Sequence, residues 1–496
     1  MQANEHFYGA GGTFCVLWLG ISATAQADLR DPNLLAQLTP LEQRAALANQ
    51  AVYDRLTIDP DGAGPQAAPC ALSADPATSL CANPALQNVF ENVRELVHNA
   101  NQLTGGGPTT FSLGFDAPNL GFALRWTAAE ELAAQGASAT EFSNNQLSAL
   151  ASRLSALRFG AGGVRVANLS SGDSVLLAGN DSSRRGGGAS ADDESIASRW
   201  SAFVNGSFGF GTRDDSTANN GFEDAFDFDG QELTIGIDHR FNDRVVGGIM
   251  GGYSNKTIDF DVAKSIVDAS MEISGYSAIV YGLWEQGGWY LNGSFGGQWL
   301  DLDTRRRILY PSFNPLVQSV DSTSLSTTRS SAVTATFSVG YEARWQAMTF
   351  GPYAKADYQD LTIDGFTEGG SASTGFGFNV ASQEIKSLDT AVGLRAQRMF
   401  TPSFGVVVPY VRFEWHKELE NDQRTVSALY ADTAAIVPAS DFALLTDAPD
   451  DEYSMLAGGL SVVFKHGLQG FLQYHQILGL DRYSDHVISA GVRYEL

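Results

Sequence analysis

From about residue 198 to the end of the chain, apolar and polar side chains alternate one by one, segment after segment. A period of two belongs to the β-strand, whose successive side chains point to opposite faces. Trp200, Ala202, Val204, Gly206 and Phe208 share one face, against Ser201, Asn205 and Ser207. Trp289, Leu291, Gly293, Phe295, Gly297 and Trp299 oppose Asn292, Ser294 and Gln298, and Val333, Ala335, Phe337, Val339 and Tyr341 oppose Thr334, Thr336, Ser338 and Glu342. Val407, Pro409, Val411, Phe413 and Trp415 oppose Tyr410, Arg412, Glu414 and His416. The series ends with Ile488, Ala490, Val492, Tyr494 and Leu496 opposite Ser489, Arg493 and Glu495.

The second face decides what kind of sheet this is. It carries Asp238, Arg240, Lys355, Asp357 and Arg395 inside strands. A sandwich core cannot bury that many charges, but a water-filled lumen can. The apolar face bears aromatics near its ends, as the two interfaces of a membrane require. Connections alternate in length: short near Asn242-Asp243, Gln286-Gly287-Gly288, Gln346-Ala347-Met348, Thr401-Pro402-Ser403 and His466-Gly467, long near 212–230, 257–269, 305–326, 362–379 and 420–451. The pattern predicts an all-β transmembrane barrel of about twelve antiparallel strands, both ends of which lie on the short-turn side. Composition agrees. Only 18% of residues are charged and 11% are aromatic, with 52 glycines, whereas a soluble domain runs near 25% charged. Past residue 27 no run of about 18 apolar residues appears, which argues against a helical membrane protein but leaves a barrel open. The net charge of −25 argues against nucleic acid as a partner, because phosphates need a basic surface.

Residues 28–158 follow a different rule. Thr39-Pro40-Leu41-Glu42 is a capping box with proline at the first helical position. Leu41, Ala45, Ala48, Val52 and Leu56 then recur at helical spacing. Asn83-Pro84 opens a second helix with Leu86, Val89, Phe90, Val93 and Val97 on one face. After the break Gly105-Gly106-Gly107-Pro108, a long helix is expected over 127–158, Ala-rich and containing Gly136 in its first half, with Leu147, Leu150, Leu154 and Leu157 in one stripe. Residues 159–197, including the polar, glycine-rich 182–195, read as a flexible linker.

Residues 1–27 read as a secretory signal, with an apolar core from Phe14 to Ile21 and the small-x-small site Ala25-Gln26-Ala27. The segment before that core holds no Lys or Arg, and Cys15 sits within the core. Beyond it remain Cys70 and Cys81, which in an exported chain favour a disulfide closing a short loop between the first two helices. No metal site is indicated, because no His lies near them in sequence, and no cofactor is implied.

The barrel segment, 198–496, resembles the β-domain of autotransporters, the type V secretion family. The resemblance rests on about twelve C-terminal strands, a preceding helical segment and linker, and the ending VISAGVRYEL. That ending resembles an outer-membrane assembly signal, with Ile488, Ala490, Val492, Tyr494 and Leu496 at every second position and Leu496 where the family usually has Phe or Trp. Membership implies the outer membrane of a Gram-negative bacterium, contact with lipid and lipopolysaccharide, and insertion by the barrel-assembly machinery with periplasmic chaperones. It implies that the short helical region, 28–158, is exported or anchored at the cell surface as a passenger, with 127–158 or a stretch near 192–198 as the pore helix. The alternative is a structural or pore-forming barrel with the helical region kept in the periplasm or lumen. The passenger's surface partner is unknown.

Four motifs invite chemistry. Gly172-Asp173-Ser174-Val175 resembles the first block of GDSL-type esterases, which occur as autotransporter passengers. Ser174 would need a downstream His with an Asp, and no Asp-x-x-His follows, so an enzyme is not expected. Asn144-Asn145 resembles the bond at which some autotransporters cut themselves by asparagine cyclisation, against the plain reading of a polar helix face. The acidic groups Glu223, Asp224, Asp227, Asp229 and Asp447, Asp450, Asp451, Glu452 lack calcium-loop spacing and read as solvated surface. Arg305-Arg306-Arg307, at the edge of a long loop, reads as a simple surface basic run, with contact to lipopolysaccharide phosphates as the alternative.

Overall fold

A computed structural model of the chain describes residues 28–57, 84–160, 199–216, 223–260, 268–370, 375–420, 423–431, 442–464 and 468–495. The expected signal segment, the Cys70–Cys81 pair, Ser174, nearly all of the expected linker and Leu496 lie outside the described residues. The strands are β1 (Trp200–Arg213), β2 (Phe226–Asn242), β3 (Val245–Phe260), β4 (Asp268–Gln286), β5 (Trp289–Tyr310), β6 (Val320–Tyr341), β7 (Ala343–Trp345), β8 (Met348–Ile363), β9 (Phe366–Thr367), β10 (Phe378–Val380), β11 (Gln383–Arg398), β12 (Gly405–Glu418), β13 (Thr425–Tyr430), β14 (Phe442–Leu445), β15 (Glu452–Phe464), β16 (Leu468–Leu478) and β17 (Tyr483–Glu495).

Twelve of them close a barrel. Antiparallel neighbours run β1 through β6, then β8, β11, β12, β15, β16 and β17, and β17 returns to β1 from Ser201↔Glu495 to Arg213↔Tyr483. Closure leaves no unpaired edge, which lipid would not tolerate. The alternation lands as expected. Val204, Ile235, Val280, Phe295, Phe337, Val411 and Val492 face outward, while Asp238, Gln298, Arg412, Glu414 and His416 are buried inside. On β5, Trp289 and Trp299 are both exposed. Ten residues at about 3.4 Å each and a tilt of about 40° separate them by about 26 Å along the axis, the height of an outer-membrane apolar band. Trp200, Phe241, Tyr341, Trp345 and Phe404 continue the lower girdle. Tyr253 and Tyr276, whose rings lie 5.2 Å apart, continue the upper one. Above Trp299 the exterior turns polar at once, with Asp301 facing Arg329.

The short turns and both ends of the barrel share one rim. The opposite rim is built up. The hairpin β5–β6 stays paired out to Tyr310↔Val320, so the expected loop 305–326 is mostly strand. The connections after β8 and β12 contribute β9, β10, β13 and β14 to a second, four-stranded sheet. On this rim sit helices α1 (Pro32–Leu35), α2 (Pro40–Thr57), α3 (Pro84–Thr104) and α4 (Ala117–Trp126). The capping box is present and reciprocal: Thr39 N donates to Glu42 Oε2 at 2.8 Å and Glu42 N to Thr39 Oγ1 at 3.4 Å. The α2 and α3 apolar stripes are buried as the spacing predicts.

Helix α4 is an addition to the sequence reading, opened by the Asp116 side chain capping Asn119 N, with proline in its first turn. The expected helix over 127–158 is corrected at its start. Ala129 adopts φ 54°, a 3-10 turn covers Glu130–Ala133, and α5 (Ala134–Gly160) follows. The reason is a change of direction, because the chain leaves the helical cap here and enters the barrel. Within the cap, His98 Nδ1 accepts from Phe111 N at 3.1 Å. Burial, with Arg94 nearby, pushes its imidazole down to about 4.

Two outcomes follow. Phe295→Arg places a charge on the lipid face near mid-height and should cost about 2–4 kcal/mol of barrel stability, read by urea titration in lipid vesicles. His98 is held neutral in the fold, so its contribution is present above its free value near 6.5 and is lost as pH falls toward 4. Amide exchange in α3, corrected for intrinsic rates, should quicken over that interval, and His98→Gln should flatten the dependence.

Candidate functional site: the plugged lumen

Helix α5 runs down the inside of the barrel. At the outer mouth Gln135 accepts from Gln383 Nε2 and donates to Thr304 Oγ1, both at 3.4 Å. Gly136 lies so close to the Arg424 guanidinium that a Cβ there would overlap it. Lower down, Gln298 Nε2 donates to Ala139 O at 3.4 Å, and Gln146 Oε1 accepts from Ser277 at 3.1 Å. Ser152 Oγ donates to Gln473 at 2.9 Å. Near the short-turn rim two arginines anchor the helix. Arg153 bonds Asp238, and its Nη2 reaches Ser201 Oγ at 3.1 Å. Arg158 Nε meets Glu342 at 3.3 Å, with its guanidinium 3.9 Å over the Tyr290 ring. Leu150, Leu154 and Leu157 pack on Phe203, Val246, Met250, Ile279, Leu283 and Tyr290. Helix α5 lies against β4, β5, β6 and β8, and Leu147, Leu150 and Leu154 of the stripe also line a small cavity shared with Tyr353, Lys355 and Arg395.

The facing wall is ionic. Lys355 Nζ lies 3.0 Å from Asp357 and 3.7 Å from Glu414. Glu414 also takes a hydrogen bond from Tyr353 OH and faces His416 Nε2 at 3.0 Å, while His416 Nδ1 faces Asp389 at 2.7 Å. Arg395 lies 3.9 Å over the Tyr410 ring. A cavity of about 520 Å³ remains between this wall and α5, lined in part by Asn144, Asn145, Lys355, Asp389, Glu414 and His416. Asn144 is exposed to it and Asn145 half-buried. Period two places Tyr353 inward with Lys355 and Asp357, and Asp389 inward with Arg395, but that they meet Glu414 and His416 is set by the register of β8, β11 and β12.

Two surface readings are corrected. Glu223 and Asp224 are buried, not solvated. Arg213 meets Glu223 at 3.1 Å and Asp447 at 2.7 Å, and Asp224 bonds Arg125 of α4. Burial, with Glu130 nearby, holds the Asp224 carboxyl well above the usual range. Asp227, Asp229, Asp451 and Glu452 do face solvent. The arginine triplet lies within β5 and is neutralised. Arg306 is buried in a bidentate pair with Glu368 (2.7 and 3.2 Å), while Arg305 and Arg307 meet Asp268 and Arg307 also meets Asp321. Position in a strand, which turns Arg306 inward and its neighbours outward, is what the loop reading missed.

A closed barrel with short turns on one rim, a helix in its lumen and a helical cap on the other rim has the architecture of an outer-membrane β-domain. Residues 202–475 match the autotransporter β-domain, more than half of the chain, and the protein belongs to that family. Among curated proteins it is similar to the esterase EstA of Pseudomonas aeruginosa PAO1, 20% identical over 269 residues, 53% of this chain and 38% of that protein. It is also 24% identical over 225 residues to an uncharacterized protein from the trpE–trpG intergenic region of Pseudomonas putida, 44% of this chain and 34% of that one. The chain thus spans less than two-fifths of the length of these relatives. Similar solved structures include the translocator domain of autotransporter NalP from Neisseria meningitidis (16% identity, TM-score 0.46, 61% of this chain and 90% of that one). The β-domain of the Bordetella autotransporter BrkA is another (15%, TM-score 0.40, 60% and 100%).

Removing one partner of a buried ion pair leaves the other charge uncompensated, at about 3–5 kcal/mol. Arg153→Met should therefore lower the unfolding temperature and raise single-channel conductance in planar bilayers as α5 loosens. Arg153→Met with Asp238→Asn should recover most of the stability and none of the plugging.

Proposed function

We propose that this outer-membrane β-domain carries residues 28–158 outward and anchors them at the cell surface, with α1–α4 as a cap and α5 as the pore helix. The observation that carries this reading is the direction of α5. Gly136 sits by Arg424 on the long-connection rim, and Arg158 sits by Glu342 near the short-turn rim where β1 begins. Short turns face the periplasm in such barrels, so α1–α4, on the opposite rim, belong outside. That placement favours display over a helical region kept in the periplasm. Assembly would use the alternating final strand, in which Ile488, Ala490, Val492 and Tyr494 are exposed on the lipid face. Periplasmic chaperones and the assembly machinery are its expected handlers.

No catalytic step is assigned to the chain. The esterase name belongs to relatives that this chain covers only in part, and Ser174 has no Asp-x-x-His behind it in the sequence. Self-cleavage at Asn144-Asn145 is supported by their place beside lumen carboxylates and is checked by Asn144→Ala: an N-terminal fragment seen in the parent and lost in the variant would establish it.

An epitope tag between Asp61 and Pro69 tests the display reading on intact cells. Loss of the tag to external protease while the outer membrane is whole is the expected result. A tag protected until the membrane is permeabilised would overturn it.

A further inference from the structure

We propose that the cap and the barrel's long connections form one shared core, so that cutting the chain between them does not release the cap. The proposal deepens the display reading and rests on it only for the side of the membrane on which the cap sits.

The apolar interior does not stop at a boundary between cap and barrel. Val52 of α2, Val89 and Phe90 of α3 and Trp126 of α4 belong to the same buried cluster as Tyr310, Phe376, Phe378, Tyr430 and Phe442 from the rim. Phe378 and Tyr430 stack at 5.1 Å, and Phe442 meets both edge-on. Without the cap these rings would front water as a contiguous apolar patch. Without the rim the cap, a small domain, would lose much of the surface it buries.

Polar groups cross the same boundary, and Tyr430, Asn49, Arg125, Asp224 and Arg306 among them are buried. Tyr430 OH donates to Asn49 Oδ1 at 2.9 Å, and Arg44 to Ala443 O at 2.9 Å. Arg125 bonds Asp224, and Arg306, already paired with Glu368, donates to Trp126 O at 3.5 Å. At the hairpin tip Phe313 N donates to Leu113 O at 2.9 Å and Asn314 Nδ2 to Ser112 O at 2.8 Å. Gly375, at φ +80°, brings the rim loop so near α3 that a Cβ would run into the backbone of Asn88 and Val89. Separating cap from rim would exchange each of these bonds for bonds to water, at about 0.5–1.5 kcal/mol each, in addition to exposing the shared apolar surface. Scission at Asn144-Asn145 or in 159–197 would therefore leave a displayed cap and no secreted product.

The test inserts a specific protease site within 182–195 of the full chain, purified in mild detergent, and follows the cut protein by gel filtration. Arg153→Ala with Arg158→Ala removes the two ionic anchors of α5 and so weakens retention by α5 relative to retention by the cap. Co-elution of the N-terminal fragment with the barrel in both proteins is the expected result. Dissociation of the fragment in either protein overturns the proposal. Should the double variant fail to fold, hydrogen exchange on the intact chain decides. Tyr430→Ala with Phe442→Ala should speed exchange across α2–α4 by at least about tenfold while β4–β6 stay protected. Unchanged exchange in the cap would show that it folds without the rim, and would equally overturn the proposal.

Discussion

Everything in this protein follows from the absence of hydrogen-bond partners in lipid. A strand in hydrocarbon has to give every backbone N–H and C=O to a neighbouring strand, and a sheet can do so at both edges only by closing on itself. The pairing of β1 with β17 is that closure. It imposes two environments on every strand, hydrocarbon outside and an enclosed space inside. The side-chain alternation is the chemical record of that division. The upper limit of the apolar band is visible on a single strand, where Trp299 gives way to Asp301 within two residues.

Closure also creates the problem that the rest of the chain solves. A lumen rimmed with charges needs counter-charges or water, and a helix supplies the former. Arg153 and Arg158 meet carboxylates of the wall near the short-turn rim, and Leu150, Leu154 and Leu157 join a buried cluster with Phe203, Met250, Ile279 and Tyr290. The opposite wall neutralises itself through Lys355, Asp357, Asp389, Glu414 and His416. A cavity lined by Asn144, Asn145, Asp389 and His416 persists beside the helix. On the outer rim the same economy recurs in apolar form: connections too long for turns build a small sheet, and the helices cover it.

Much of this was legible in the chain. Strand positions, the inward charges, the short turns and the stripes of α2 and α3 depend on local periodicity, which each segment carries by itself. Tyr353 and Asp389 share the inward parity of Lys355 and Arg395, but their meeting with Glu414 and His416 depends on the register of β8, β11 and β12, a non-local quantity. Arg306 and Asp224 were misread for a related reason. A charge is buried only if a partner arrives, and their partners Glu368 and Arg125 lie 62 and 99 residues away.

The sequence by itself determined a barrel and its orientation in the membrane, because a period of two and alternating connection lengths are properties of consecutive residues. It also determined that helices precede the barrel. Only the tertiary structure decided where those helices go. The turn at Ala129 that sends α5 into the lumen, the ion pairs that seat it and the fusion of cap and rim into one core all join residues far apart in the chain. Burial of that kind is settled by which surfaces meet, and no local pattern encodes the meeting.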